Sequence, residues 1–336
     1  MKVIPLVEEE RNGLVENIHY GSICILDREE NVVYAVGDCS EPVFLRSAAK
    51  PFQALPTYLS NVQQIFNLTD KEMTILMGSH RGEPEHLEVL TSIQKKLAIA
   101  EQTLICGVSY PLNETPKHQW IASHLPKRKL IHNCSGKHFG LLAYTKAKGE
   151  PIDSYAYRES SVLQEVEKIM SHLAGLPIEK IHFGVDGCGL PNYALPLPHI
   201  ARAFLKLAVP EQLEEIQLQE AIQQMTKNMN DYPAMVASHD FICTELLKDK
   251  NIVAKGGAQG VYGLALKKEG IAISLKVKNG SEEIWALLIY DVLKKLGYQQ
   301  AQTFERLEKI ARRDILNDSG QIVGKRKVVI PDIEIV

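Results

Sequence analysis

The sequence predicts an α+β fold, with a mainly antiparallel sheet formed by N- and C-terminal strands and helices between them. Three observations predict it: β-branched runs gather before residue 40 and after residue 250, apolar residues recur at three and four through the middle, and no Pro/Gly/Ser linker, repeat or low-complexity tract divides the two patterns. With 336 residues, 45% of them hydrophobic and 24% charged, the chain is long enough and apolar enough to bury a large core. We therefore expect one domain over residues 1–336.

The elements follow in order. Residues 17–37 hold two β-branched runs joined by D-R-E-E-N, which predicts an antiparallel hairpin. T-D-K-E opens a helix over 69–77 with capping-box chemistry, and Leu87, Leu90 and Leu97 lie near one face of a helix over 84–98. Residues 158–174 and 210–229 show the same periodicity, the second with acids early and lysines late. Between them K-I-H-F-G-V-D-G-C-G is an apolar run that stops in glycines, the pattern of a strand ending in a tight loop. Residues 251–278 predict three strands, the last two closed by K-K-E-G, followed by helices over 281–296 and 303–313 and a terminal hairpin at V-G-K-R-K-V-V-I.

Composition excludes some functions. A formal net charge of -3 with no Lys/Arg block argues against a nucleic-acid partner. The first residues, M-K-V-I-P-L-V-E-E-E, form neither a signal-peptide core nor a membrane span, so we expect a cytoplasmic chain without a membrane partner, whose six cysteines stay reduced.

Four constellations could carry chemistry. In R46-S47-A48-A49-K50-P51 the three-residue spacing sets Ser47 and Lys50 on one helical face. Lysine can take a serine proton only if burial or a neighbouring cation keeps it neutral, and the alanines and apolar flanks here favour burial. The same spacing recurs at Ser92 and Lys95 among charged residues, and a helix-capping Ser47 is the plain alternative. The second constellation joins N-C-S-G-K-H with D-G-C-G: Cys134 and Cys188, brought together by folding, could hold a soft metal such as zinc with His138 or Lys137 completing the set. Ordinary buried cysteines are the alternative. In G-S-H-R-G-E-P-E-H, Ser79 and His80 could belong to a proton relay or could cap helices. In K-G-G-A-Q-G, glycines beside Lys255 could let a substrate approach the backbone, or mark a bulged strand with a solvated lysine.

Taken in order, R-S-A-A-K-P-F-Q-A-L-P, G-S-H-R-G-E-P-E-H, N-C-S-G-K-H-F-G-L-L, D-G-C-G-L-P-N-Y and K-G-G-A-Q-G-V-Y-G-L resemble the asparaginase II family of the Rhizobium etli type, over most of the chain. The resemblance implies a serine β-lactamase-like fold, a homodimer, and hydrolysis of L-asparagine to L-aspartate and ammonia. It implies Ser47 as nucleophile and Lys50 as its base, with Ser79 and Lys255 as a second Ser-Lys pair. It assigns zinc to Cys134, Lys137 and Cys188, and makes Arg46, His138 and Asp186 neighbours that orient substrate or ligands. One departure is that the β-lactamase-like K-T-G is K-G-G here, so position 256 offers no hydroxyl. Competing expectations are a glutaminase or other small amidase, since one methylene is worth only about 1 to 3 kcal/mol of discrimination, and a non-catalytic amino-acid sensor.

Overall fold

The computed structural model describes residues 3–333. Its strands are β1 (Ile4–Arg11), β2 (Leu14–Leu26), β3 (Val32–Val36), β4 (Val43–Phe44), β5 (His182–Val185), β6 (Pro191–Leu195), β7 (Ile252–Gly257), β8 (Val261–Leu266), β9 (Ile271–Val277), β10 (Asp314–Leu316) and β11 (Ile322–Val328). The chain forms two compact units. The first takes the chain up to Ala48, Ala194–Val209 and everything from Asp240 onward; the second takes Ala49–Tyr193 and Pro210–His239.

The first unit holds an antiparallel sheet in the order β10-β11-β1-β2-β9-β8-β7, with β3 also pairing β2. Both chain ends enter it, as the α+β expectation requires. The expected hairpin is β2–β3, and K-K-E-G closes β8 to β9 with Gly270 at φ +65°. The sequence reading assigned no element to the first residues, and Ile4–Arg11 form β1. Its run of acids finds its partners at the other end of the chain: Glu8 stands opposite Lys327, Glu9 opposite Arg326 and Glu10 opposite Lys325. The Arg326 guanidinium reaches the Glu9 carboxylate at 2.7 Å.

Side chains alternate across β8, so Tyr262 and Gly263 face opposite sides of the sheet. Tyr262 meets Trp285 of the helix Trp285–Lys295 edge to face, at 5.1 Å between centroids. On the other side the helix Leu197–Ala208 packs so closely that a Cβ on Gly263 would stand 2.1 Å from the Phe204 ring. Lys255 is directly opposite Gly263 in the β7–β8 register and so shares the Phe204 side.

The second unit is mainly helical. The helix Lys50–Leu59 is its centre, buried from Lys50 through Thr57 and packed against the helices Ser135–Ala147, Ser161–Ala174 and Ile216–Asp231. The capping box expected at T-D-K-E is present: Thr69 Oγ1 accepts from Glu72 N–H, and the Glu72 carboxylate accepts from Thr69 N–H at 2.6 Å. The helices expected over 84–98, 158–174 and 210–229 are Pro84–Leu97, Ser161–Ala174 and Ile216–Asp231. The helix Ser135–Ala147 was not foreseen: from Ser135 to Thr145 every residue is buried, so it shows no polar stripe. Among the described residues no helix is long and apolar enough to cross a membrane.

Gly263→Ala should force Phe204 off its rotamer and destabilise the first unit by about 1–3 kcal/mol. Differential scanning calorimetry of Gly263→Ala and of Gly263→Ala/Phe204→Leu checks this, with the double variant expected to recover part of the loss.

Candidate functional site

The sequence candidates divide between the units. Arg46, Ser47 and Lys255 belong to the first; Lys50, Ser79, Cys134, Lys137, His138, Asp186 and Cys188 belong to the second.

In the first unit, Ser47 lies in a 3-10 turn, Arg46–Ala49, that runs directly into the helix headed by Lys50. Ser47 does not cap that helix: the N-cap is Ala49, with no side-chain cap, and Pro51 falls in the first turn, where its missing N–H costs nothing. Arg46 has φ +50°, a left-handed conformation that a branched, non-glycine chain rarely adopts and that clusters at functional turns. The turn rests on the end of β7, because a Cβ on Gly257 would stand 2.1 Å from Leu45 O and 2.9 Å from Ala48 N. The K-G-G glycines are thus occupied by the protein's own packing. At Gly256 a Cβ would meet the rings of Trp285 and Tyr262 at 2.9 Å, which also explains why no hydroxyl-bearing residue stands there. Lys255 is 1% exposed and β7 pairs β8 without a register shift, so the alternative of a bulged strand with a solvated lysine does not hold. Its Nζ donates to Gly256 O at 2.8 Å.

In the second unit, Lys50 is wholly buried, and its Nζ lies 2.8 Å from Gly78 O, 3.0 Å from Ser79 Oγ and 2.9 Å from Asn133 O. Burial is the main cause that lowers its pKa below the usual lysine value; Lys137 lowers it further, while Cys134 and Cys188 oppose. The three contacts suit either protonation state. The ammonium donates to all three. The neutral amine gives its two hydrogens to the carbonyls, which can only accept, and turns its lone pair to Ser79, whose hydroxyl can donate.

Beside Lys50 lies a thiol cluster. One ligand atom from each of Cys134, Asp186 and Cys188 falls within 4.8 Å of the others, and Lys137 Nζ donates to Cys188 Sγ at 3.1 Å. Cys134 heads the helix Ser135–Ala147, Lys137 is in its first turn, and Asp186 and Cys188 lie on the turn between β5 and β6, held by Gly189 at φ +86° and the Asp186 N–H to Leu190 O bond of 2.8 Å. The hydrogen bond between the two thiols splits their titration: Cys134 drops well below the usual cysteine value, helped by Lys50 and Lys137, and Cys188 rises. Lys137 is raised despite its burial, because Cys134, Cys188 and Asp186 surround it with negative charge. The donor set fits zinc: two sulfurs, with a carboxylate and an amine able to complete four positions, satisfy its preference for soft, tetrahedral ligation. Asp186 belongs among the potential ligands, a part that spacing could not give it. His138 is buried, with Nδ1 2.9 Å from the Tyr155 hydroxyl, which in turn accepts from Ile105 N–H.

Ser79 and His80 cap no helix; the next one begins at Pro84 with Glu83 as N-cap. Ser135, which the sequence reading passed over, is buried between His80 Nε2 and Leu130 O, each 2.8 Å from its Oγ. Its position directly after Cys134 was the available signal.

Among solved structures, Mglu in its native form aligns over 87% of this chain and 64% of that chain at 15% identity, with a TM-score of 0.43. A β-lactamase from Mycobacterium bovis aligns over 82% of this chain and 94% of that one at 11% identity and a TM-score of 0.44. A Bacillus glutaminase aligns over 82% and 91% at 13% identity and a TM-score of 0.39. The chain spans less than two thirds of the Mglu chain. No curated protein matches the sequence. The family model for L-asparaginase II matches residues 7–328, which takes in both units and all ten candidate residues; the chain belongs to the L-asparaginase II family.

Proposed function

We propose that this chain, by family a hydrolase of amides, hydrolyses the side-chain carboxamide of L-asparagine to L-aspartate and ammonia. The observation that carries the reading is the wholly buried Lys50 with Ser79 Oγ 3.0 Å from its Nζ. A lysine removed from water has its pKa lowered and, held next to a hydroxyl, gives up its proton more readily than an exposed lysine does.

In this reading Lys50 in its neutral form takes the Ser47 proton, and Ser47 Oγ bonds to the carboxamide carbon. The C–N bond breaks as the leaving nitrogen gains a proton and departs as ammonia. Water then attacks the β-aspartyl ester, Lys50 taking a proton from it, and Ser47 recovers its own. The resemblance gives Ser79 and Lys255 the roles of a second Ser-Lys pair, and gives Arg46, in its strained turn, His138 and Asp186 the orienting of substrate or ligands. Cys134, Lys137 and Cys188 would hold zinc, with Asp186 near enough to join them. The metal would supply a Lewis-acidic anchor for the substrate's amino or carboxylate end, since Ser47 already supplies the nucleophile.

Ser47→Ala should lower kcat for ammonia release from L-asparagine by about 10³-fold or more while leaving the zinc content unchanged. If the variant keeps most of its activity, Ser47 is not the nucleophile; if only L-glutamine reacts with the wild type, the substrate assignment falls. Cys188→Ser should lower bound zinc, measured by atomic absorption after dialysis, and raise KM more than it lowers kcat. The rate should fall on the acid side of the lowered Lys50 pKa, because protonation removes the lone pair the base needs. A pH profile of kcat, with Lys50→Met inactive throughout, checks this.

A further inference from the structure

We propose that His80, through Ser135, is a positioning residue that locks the Ser79–Lys50 pair to the first turn of the helix carrying Cys134 and Lys137. This inference rests on the functional reading above and adds a residue pair to it.

The protonation state of the pair follows from its partners. Ser135 has a single hydroxyl proton, and Leu130 O, 2.8 Å away, can only accept it. Toward His80 Nε2, also at 2.8 Å, the Ser135 oxygen is therefore the acceptor, and the imidazole carries its proton on Nε2. Nδ1 is then bare, and among the described residues it has no hydrogen-bond partner, although the whole side chain is buried. Burial above all, then His86 and Lys50 nearby, holds the ring neutral by lowering its pKa well below the usual histidine value. A neutral histidine with one ring nitrogen spent on Ser135 and the other unused is suited to holding one contact rather than to relaying protons in this state.

That contact joins two segments that Lys50 also joins. On one side His80 directly follows Gly78 and Ser79, whose main chain is fixed by the Ser79 N–H to Val236 O bond of 2.7 Å. No side chain fits at Gly78, where a Cβ would stand 2.2 Å from Met235 O. On the other side Ser135 follows Asn133 and Cys134, and a Cβ on Gly136 would stand 2.2 Å from Ile75 O, so the helix start is pressed against the end of the helix Asp70–Ile75. Lys50 Nζ spans the two segments through Gly78 O and Ser79 Oγ on one and Asn133 O on the other. His80–Ser135 is a second, uncharged strut across the same gap. Its loss leaves the Lys50 contacts to bridge the two segments without this second strut.

The test uses the full chain and the variants His80→Ala, His80→Gln, Ser135→Ala and His80→Ala/Ser135→Ala. Zinc affinity is measured by chelator competition, and kcat and KM by ammonia release from L-asparagine. His80→Ala and Ser135→Ala should each weaken zinc binding by about 10- to 100-fold, the range for groups that orient ligands. Each should lower kcat more than it raises KM. The double variant should be little worse than either single one, because both remove the same contact. His80→Gln, whose amide N–H can still reach Ser135 Oγ, should recover most of the zinc affinity. Thr57→Val removes a buried hydrogen bond of 3.2 Å to Gly140 O on the same helix, and should lower the melting temperature without changing either readout.

Additive losses in the double variant, unchanged zinc affinity in the single ones, or a matching effect of Thr57→Val would overturn the proposal. If zinc coupling appears but the wild type releases no ammonia from asparagine, the strut stands and the substrate reading falls. If the wild type binds no zinc, the metal reading falls and this inference with it.

Discussion

The second unit depends on one constraint, the placing of a lysine nitrogen where water cannot reach it. Left unpaired, a buried ammonium costs far more than a domain can spare, so its hydrogens must find acceptors supplied by the fold. Here those acceptors come from the chain at 78–79 and at 133, segments more than fifty residues apart in sequence. Satisfying Lys50 therefore fixes where the helix Asp70–Ile75 ends and where the helix Ser135–Ala147 begins. Lys50 can sit so deep because its helix is buried along eight successive residues, with helices packed on three sides.

That constraint explains why the fold was more legible than the site. The β2–β3 hairpin, the Thr69–Glu72 capping box and the K-K-E-G turn are local: the residues that make them are the residues that signal them. β1 was not legible because its carboxylates are answered by lysines and arginine more than three hundred positions away. The helix Ser135–Ala147 was missed for a different reason. A helix buried all round loses the polar stripe that reveals helices, and Gly136, which looks like a breaker in sequence, is where a Cβ would stand 2.2 Å from Ile75 O.

The site residues show the same division. Spacing could relate Ser47 to Lys50, and glycines could mark the Cys134 and Cys188 loops, but nothing local relates Cys134 to Cys188 across fifty-four positions, or His80 to Ser135 across fifty-five. The family resemblance related Cys134 to Cys188; the contact between His80 and Ser135 comes from the fold alone. The glycines of the K-G-G stretch left their reason open in sequence. A glycine's missing side chain signals that something comes close, without saying what. At Gly256 it is Trp285 and Tyr262, and at Gly257 it is the main chain of Leu45 and Ala48.

The thiol cluster follows from the same electrostatics. The hydrogen bond the two cysteines share pulls their titrations apart, Cys134 downward with help from Lys50 and Lys137, and Cys188 upward. Lys137 answers by holding its own proton more tightly than burial alone would allow. A divalent metal can replace the protons of Lys137 and Cys188 without leaving an unpaired charge, which is the general way protonated nitrogen and sulfur groups become ligands. The lysines serve different ends as a result. Lys50 is held by two carbonyls and a hydroxyl, and there burial outweighs the nearby thiols and lowers its pKa; Lys137 is surrounded by Cys134, Cys188 and Asp186, which outweigh burial and raise it. Identical side chains on neighbouring helices are separated in role by the balance of burial against nearby charge, and that balance is set by which loops the fold brings against each nitrogen.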